Sequence, residues 1–376
     1  MGQHVETLIQ LMKDIHVSLD GAADPEAATQ IAVNTLHNNH QLIETAHEMD
    51  VLCEHIVRHP QFDHGCDDTL AELLFMLKGI LLDLIDNLEL GHVILSLVYH
   101  LGTVYGANVF RKIGQDMDSM LVPIVARHSL HRIHFPAVKI LYEVCQLQEL
   151  SLSELNEFTS ELIVVLFDVV ERTSQADQLE EYNYACIRLL LAFNHQFLMK
   201  NHARNVIENR IITQLSPRLH LGKSLGANII FMFNRADNSR VQRLIIRFLY
   251  ISLKTPETSA LFYTNDLKVI LDVVLRELRA VADENEEMQQ GYLNLLPPLL
   301  HNPQLQNHKI EDVSCLLGEL RRQDSGRTGG SESPNRSDLP STPLSSVLGN
   351  SNVRPSTRRV AERVFLECRD ILVKRS

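Results

Sequence analysis

An all-α fold is predicted, and three observations predict it. Apolar residues recur at helical spacing along almost the whole chain. No stretch alternates apolar and polar residues long enough to suggest a sheet. Turn formers are few, with 16 glycines and 13 prolines in 376 residues, and a β-rich chain of this length needs more. The hydrophobic share of 45% and charged share of 22% are those of a folded soluble protein with a real core. More than a dozen helices exceed what a four-helix bundle holds, so stacked pairs or triplets in a solenoid are the expected architecture. No repeat of fixed period is visible, so the solenoid expectation rests on helix number.

Taken in order, helices are drawn through 5–18, 25–59, 66–88, 92–112, 116–128 and 136–149. The next segment shows the grammar well. Ser151 and Glu154 fit a capping box, in which each side chain satisfies the other residue's backbone N–H. Leu150 and Leu155 flank it as a hydrophobic staple. Leu155, Phe158, Leu162, Val165, Leu166 and Val169 then form one apolar stripe. Further helices follow through 180–200, 203–214, 225–235, 238–253, 256–262, 265–281, 284–300 and 308–323. Asp20-Gly21, His59-Pro60, Leu90-Gly91, Phe135-Pro136, Ser216-Pro217, Asp237-Asn238, Thr255-Pro256 and Asn302-Pro303 punctuate them. Residues 1–323 are thus read as one helical domain.

Residues 324–355, rich in Ser, Gly, Pro and Asn, are read as a disordered linker or long surface loop. Ser333-Pro334 and Thr342-Pro343 match proline-directed phosphorylation, but a passive loop is the default. Residues 356–376 form a last amphipathic helix. Ala361, Val364, Phe365, Cys368, Ile371 and Leu372 line one face, and Arg358, Arg359, Arg363, Arg369, Lys374 and Arg375 make it basic. Docking onto the last apolar face of the solenoid is its expected use.

The net charge of −12 argues against a nucleic-acid binder, which needs Lys and Arg for phosphate contact. The N-terminus lacks the cationic stretch, apolar core and cleavage site of a secretion signal. Gly2 is not followed by the Ser or Thr at position 6 that myristoylation needs, because Glu6 stands there. Lys78 and Asp83 interrupt Leu73 to Leu88, and Asp168 ends Leu162 to Phe167, so no membrane insertion is expected. Cys53, Cys66, Cys145, Cys186, Cys315 and Cys368 are scattered, mostly on apolar stripes, and read as reduced core residues of a cytoplasmic protein.

Motifs for chemistry are weak. Gly222-Lys223-Ser224 lacks the upstream glycine of a phosphate loop, since Pro217 occupies its place. Gly222 to Gly226 also spells a nucleophile elbow centred on Ser224, but without the strand such an elbow needs. Cys53, His55, His59, His64 and Cys66 cluster within fourteen residues, with His55 and His59 one helical turn apart. Structural zinc prefers paired cysteines at short spacing, so these are read as core and surface residues. His128, His131 and His134 recur every third residue and are read as a loop or helix-end surface. No carboxylate pair is isolated on an apolar face. No catalytic residue, metal or cofactor is expected, and the chain is read as a binding protein.

The most informative stretch is 222–305. It runs Asn228-Ile229-Ile230-Phe231 to Asn234-Arg235, then Thr255-Pro256-Glu257-Thr258. Next come Phe262-Tyr263-Thr264-Asn265-Asp266-Leu267 and Arg276-Glu277-Leu278. Thr255 is expected to cap a short helix with Pro256 in its first turn. Thr264 caps the next, with Asp266 at the positive end of its dipole. Leu267, Ile270, Leu271, Val274, Leu275 and Leu278 form the buried stripe of that helix. Lys268, Asp272, Arg276 and Arg279 form the opposite polar stripe.

These segments, in this order and spacing, closely resemble the WISH/DIP/SPIN family, whose fungal members are short and lack the SH3 module of the animal ones. No SH3 domain or proline-rich tract precedes the helices, as in that short form. Gly291 and the loose insertion between Gly326 and Gly349 depart from the expected pattern. The resemblance implies an armadillo-repeat fold and binding to the actin-related protein 2/3 (Arp2/3) complex. It implies activation of that complex without a preformed filament. The linear filaments produced seed branched networks at endocytic cortical actin patches, and actin is engaged only through the nucleated filament. The resemblance raises Lys254, Glu257, Tyr263, Asn265, Asp266, Lys268, Asp272, Arg276 and Arg279 to candidate partner-binding residues. The competing expectation is a helical-repeat adaptor for another protein, with no direct effect on actin.

Overall fold

The structure, a computed structural model, describes residues 2–63, 66–81, 87–115, 117–200, 207–219, 223–235, 238–280, 285–321 and 354–374. The described residues are all-α, with no strand among them. The chain divides into two compact units, residues 1–214 and 215–376.

The first unit contains α1 (Gly2–Asp20), α2 (Pro25–Asn38), α3 (Ala46–Val57), α4 (Pro60–Asp63), α5 (Cys66–Leu81) and α6 (Leu88–Tyr105). It continues with α7 (Ala107–Gly114), α8 (Met117–Arg127), α9 (His134–Leu147), α10 (Leu152–Glu157), α11 (Ser160–Thr173) and α12 (Glu180–Lys200); α13 (Arg210–Leu215) crosses the boundary. Helix α12 packs against α9 and α11. Its polar residues fasten it there. Asn183 donates to Val170 O (2.7 Å) and Thr173 Oγ1 (2.8 Å). Gln196 donates to Cys145 O (2.7 Å) and Gln148 O (2.8 Å) and accepts from Leu150 N–H (3.1 Å). Both side chains are buried, and each answers backbone groups that a helix end leaves unpaired.

Three helices drawn as continuous are broken, each by a local signal. The 25–59 segment divides because Thr45 and Glu48 form a capping box that starts α3. The 92–112 segment divides at Gly106, whose φ of 94° is open to glycine without steric cost. The stripe from Leu155 to Val169 divides because Thr159 accepts from Leu162 N–H and begins α11 anew. The capping box at Ser151 and Glu154 is formed as expected, and both staple residues, Leu150 and Leu155, are buried.

The cysteines follow the core expectation with one exception. Cys53, Cys145, Cys186 and Cys368 are buried and free, whereas Cys315 is exposed, with its Sγ 3.4 Å from Glu319 Oε1. The side chain of Cys66 lies outside the described residues.

The second unit contains α14 (Lys223–Arg235), α15 (Ser239–Lys254), α16 (Thr264–Ala280), α17 (Glu286–Leu300), α18 (Ile310–Arg321), α19 (Pro355–Glu367) and α20 (Arg369–Lys374). Helix α17 packs on α15, α16 and α19. Gly291 allows that approach, since a Cβ there would stand 3.3 Å from Ile246 Cγ2 on α15. The residue that departed from the expected pattern thus sits where a larger side chain would press on Ile246. The expected linker falls almost wholly outside the described residues. Beyond it, Thr357, Ala361, Val364, Cys368 and Leu372 are buried, and α19 packs on α17 and α18. Arg321 on α18 makes an ion pair with Glu362 and lies 3.7 Å from the centroid of the Phe365 ring.

Candidate protein-binding face

Helix α16 is amphipathic as its sequence dictates. Leu267, Ile270, Leu271, Val274, Leu275 and Leu278 are all buried, at the spacing that places them on one face. Its start differs in detail from expectation. Thr264 is the first helical residue, and Asp266 Oδ2 accepts from Tyr263 N–H (2.9 Å), so the carboxylate does the capping. The helix expected over 256–262 is a turn followed by a single 3₁₀ turn, Ser259–Leu261. The buried Thr258 hydroxyl donates back to Ser252 O (2.9 Å), and Ser259 N–H bonds Thr255 O (2.9 Å). These bonds fold the chain tightly at the end of α15, where Thr255 is the C-cap of α15 rather than the N-cap of a following helix.

The nine candidate residues fall into two groups. Asp272, Arg276 and Arg279 on the polar stripe are committed to neighbouring elements. The Arg276 guanidinium donates to Asn234 Oδ1 (2.9 Å) and Asn234 O (3.3 Å) at the end of α14, and to Glu277 (3.0 Å). Asp272 accepts from His308 Nε2 (2.8 Å) and Lys309 Nζ (3.0 Å). Burial pushes its carboxyl up, but the Lys309 and His308 bonds outweigh that and hold it below the ordinary value. Arg279 lies 3.6 Å from Asp312 on α18. Asp266 is the cap already described, and Lys268 is half-buried. These side chains help to join α16 to α14 and to the segment leading into α18.

Lys254, Glu257, Tyr263 and Asn265 are exposed. Tyr263 is 50% exposed, with Lys223 Nζ 5.7 Å from its ring centroid. A large aromatic ring standing in solvent beside a cation suits a partner contact, where such rings often anchor binding. Nearby on α14, Phe231 is exposed beneath the Arg235 guanidinium, 4.1 Å from its ring centroid.

Lys254 belongs to a second feature that sequence reasoning missed. It lines an open cleft of about 600 Å³ with Tyr250, Pro256, Pro297, Pro298, His301 and Arg363. Lys254 Nζ donates to the Tyr250 hydroxyl (3.1 Å), which raises its pKa. The sequence held one signal for this cleft. Pro297 and Pro298 lie inside α17 and supply no N–H to the turn before them. The contribution of Arg363 from α19 had no local signal.

The two histidine groups singled out from sequence are placed differently. Cys53 is in the core, with its thiol directed at Met49 Sδ (3.6 Å), so it does not join His55 and His59. His64 lies outside the described residues. Of the second group, His134 is buried rather than on the surface. It bonds Val125 O through Nε2 (3.1 Å) and accepts from the Tyr182 hydroxyl at Nδ1 (2.7 Å). Burial lowers its pKa to about 4. Lys223 and Ser224 open α14, and Gly222 lies outside the described residues.

Comparison with known proteins places this region. Residues 179–314 match the SPIN90/Ldb17 leucine-rich domain, which takes in α12 through the start of α18. The chain is 29% identical over 184 residues to protein dip1 of Schizosaccharomyces pombe, covering 48% of this chain and 49% of that protein. It is 32% identical over 149 residues to LDB17 of Saccharomyces cerevisiae, covering 38% of this chain and 30% of that one. It is 26% identical over 193 residues to LDB17 of Eremothecium gossypii, covering 50% and 41%. The chain thus spans half or less of the length of the curated relatives it matches. An all-helical fold thus carries a segment similar to the SPIN90/Ldb17 leucine-rich domain. Over this region the chain is similar to fungal proteins of the kind that the resemblance to the WISH/DIP/SPIN family led one to expect. Among the described residues, no helix is long and apolar enough to cross a membrane.

Proposed function

We propose that this protein binds the Arp2/3 complex and activates it allosterically without a preformed filament. The linear actin filaments so nucleated would seed branched networks at endocytic cortical patches. The observation that carries this reading is the leucine-rich domain match over 179–314. It encloses the stretch whose motifs resemble the family and the exposed Tyr263 face. On this reading the chain is a cytoplasmic, non-enzymatic scaffold without a cofactor. Its helices stack in the armadillo manner, and actin meets it only through the filament. Activation requires that the protein bind the active arrangement of the complex more tightly than the inactive one.

Tyr263, Asn265, Glu257 and Lys254 are the contact residues of this proposal. Asp272, Arg276 and Arg279 shape the face by fastening α16 in place. A pull-down from fungal extract with the whole chain as bait tests the partner. Recovery of Arp2/3 subunits, lost with Tyr263→Ala, is the expected result. A second reading is an adaptor without effect on actin, favoured by the open cleft at Tyr250 and Pro297, which has room for a peptide segment. Recovery of other proteins with no Arp2/3 subunit would replace the first reading with the second.

A further inference from the structure

The histidine pattern at 55–66 misses two partners that only the fold supplies. Helix α1 brings His16 and Asp20, one helical turn apart, to the turn after α3 where His59 sits. Their ligand atoms all lie within 4.8 Å of one another. Asp20 Oδ1 is 3.3 Å from His59 Nε2, and Asp20 Oδ2 is 3.9 Å from His16 Nε2. His59 is only 4% exposed, yet its Nε2 has no hydrogen-bond partner. A buried polar nitrogen that makes no hydrogen bond, although a carboxylate stands 3.3 Å away, is uncommon and calls for an explanation. His55, one turn before His59, flanks the group, with its ring 5.9 Å from that of His16. It bonds the backbone carbonyl of Met12.

We propose that His16, Asp20 and His59 form a site for a divalent transition metal of the zinc type, clipping the end of α1 to the turn that follows α3. Two imidazoles and a carboxylate are a common zinc donor set, with water completing the tetrahedron. Ligand atoms about 2.0–2.1 Å from zinc stand roughly 3.3 Å apart in a tetrahedron. The His59–Asp20 separation already meets that spacing. His16 and Asp20 are exposed and close the remaining distance by side-chain rotation. One hydrogen bond is given up. Gln61 N–H now donates to His59 Nδ1 over 3.3 Å, and a ring that ligates metal through Nε2 carries its proton on Nδ1.

The full chain, freed of metal with a chelator and desalted, is titrated with zinc chloride by calorimetry, and its thermal unfolding is followed with and without zinc. One equivalent is expected to bind and to raise the unfolding midpoint, because the folded state alone presents the three ligands together. His16→Ala and Asp20→Asn change exposed residues and are expected to fold. Each weakens that binding about ten-fold or more and removes the thermal shift. His47→Ala, exposed on α3 but outside the group, leaves both unchanged. Zinc uptake and thermal shift indifferent to His16→Ala and Asp20→Asn, or no stoichiometric uptake by the unmodified chain, would overturn the proposal.

Discussion

Arg276 lies in the middle of the polar stripe of α16, yet its guanidinium is turned to the carbonyl and side chain of Asn234 at the end of α14. A cation on helix-terminal carbonyls is stabilising. Arg276→Glu is therefore expected to lower stability by about 1 kcal/mol, read as a fall in the urea midpoint. Any loss of partner binding would accompany that fall. Tyr263→Ala removes an exposed ring and should alter stability by less than about 0.5 kcal/mol while weakening capture of the partner. His134 gives a pH dependence. Its folded pKa of about 4 lies below the unfolded value of about 6.5, so its contribution is fully present above pH 6.5. As pH falls from about 6.5 to 4 the unfolded chain takes up the proton first, and a few kcal/mol are lost. His134→Asn should flatten that part of a stability–pH profile; an unchanged slope would remove His134 as its source. Sequence periodicity placed Asp272 and Arg276 on a polar face. It could not show their partners, since His308 and Asn234 lie 36 and 42 residues away and pair only through the fold.

At the scale of elements, Gly291 shows how packing overrides helix propensity. Alanine would favour the helix, but α15 lies against this position, with Ile246 Cγ2 3.3 Å from where a Cβ would be. Gly291→Leu should push α15 and α17 apart and cost about 2 kcal/mol, seen as a lower unfolding midpoint. Wild-type stability would show that the interface yields freely. Helix identity was legible because apolar spacing is local. Helix ends were less so. The Thr45–Glu48 capping box lay in plain view but was overrun by a continuous apolar pattern. Thr159 restarts a helix that the stripe alone would carry through. Thr258 is legible only in three dimensions, because its bond to Ser252 O depends on the chain already having turned.

For the whole molecule, the leucine-rich domain match runs from the end of the first unit through most of the second. The resemblance was readable from sequence because several segments between 222 and 305 agree in order and spacing, and the leucine-rich domain match encloses them. The cleft was not, because its walls come from α15, α17 and α19, and α19 follows the long low-complexity stretch. The grouping of His16, Asp20 and His59 was hidden for the same reason, since His16 and His59 are brought together by tertiary packing alone. The central claim concerns activation, and actin assembly measures it most directly. Purified Arp2/3 complex, labelled actin monomers and this protein are combined without seed filaments or another activator. Faster nucleation that needs both proteins, with unbranched filaments under the microscope, is the predicted result. Assembly no faster than with Arp2/3 complex alone, from a chain whose helical folding is intact, would contradict the account.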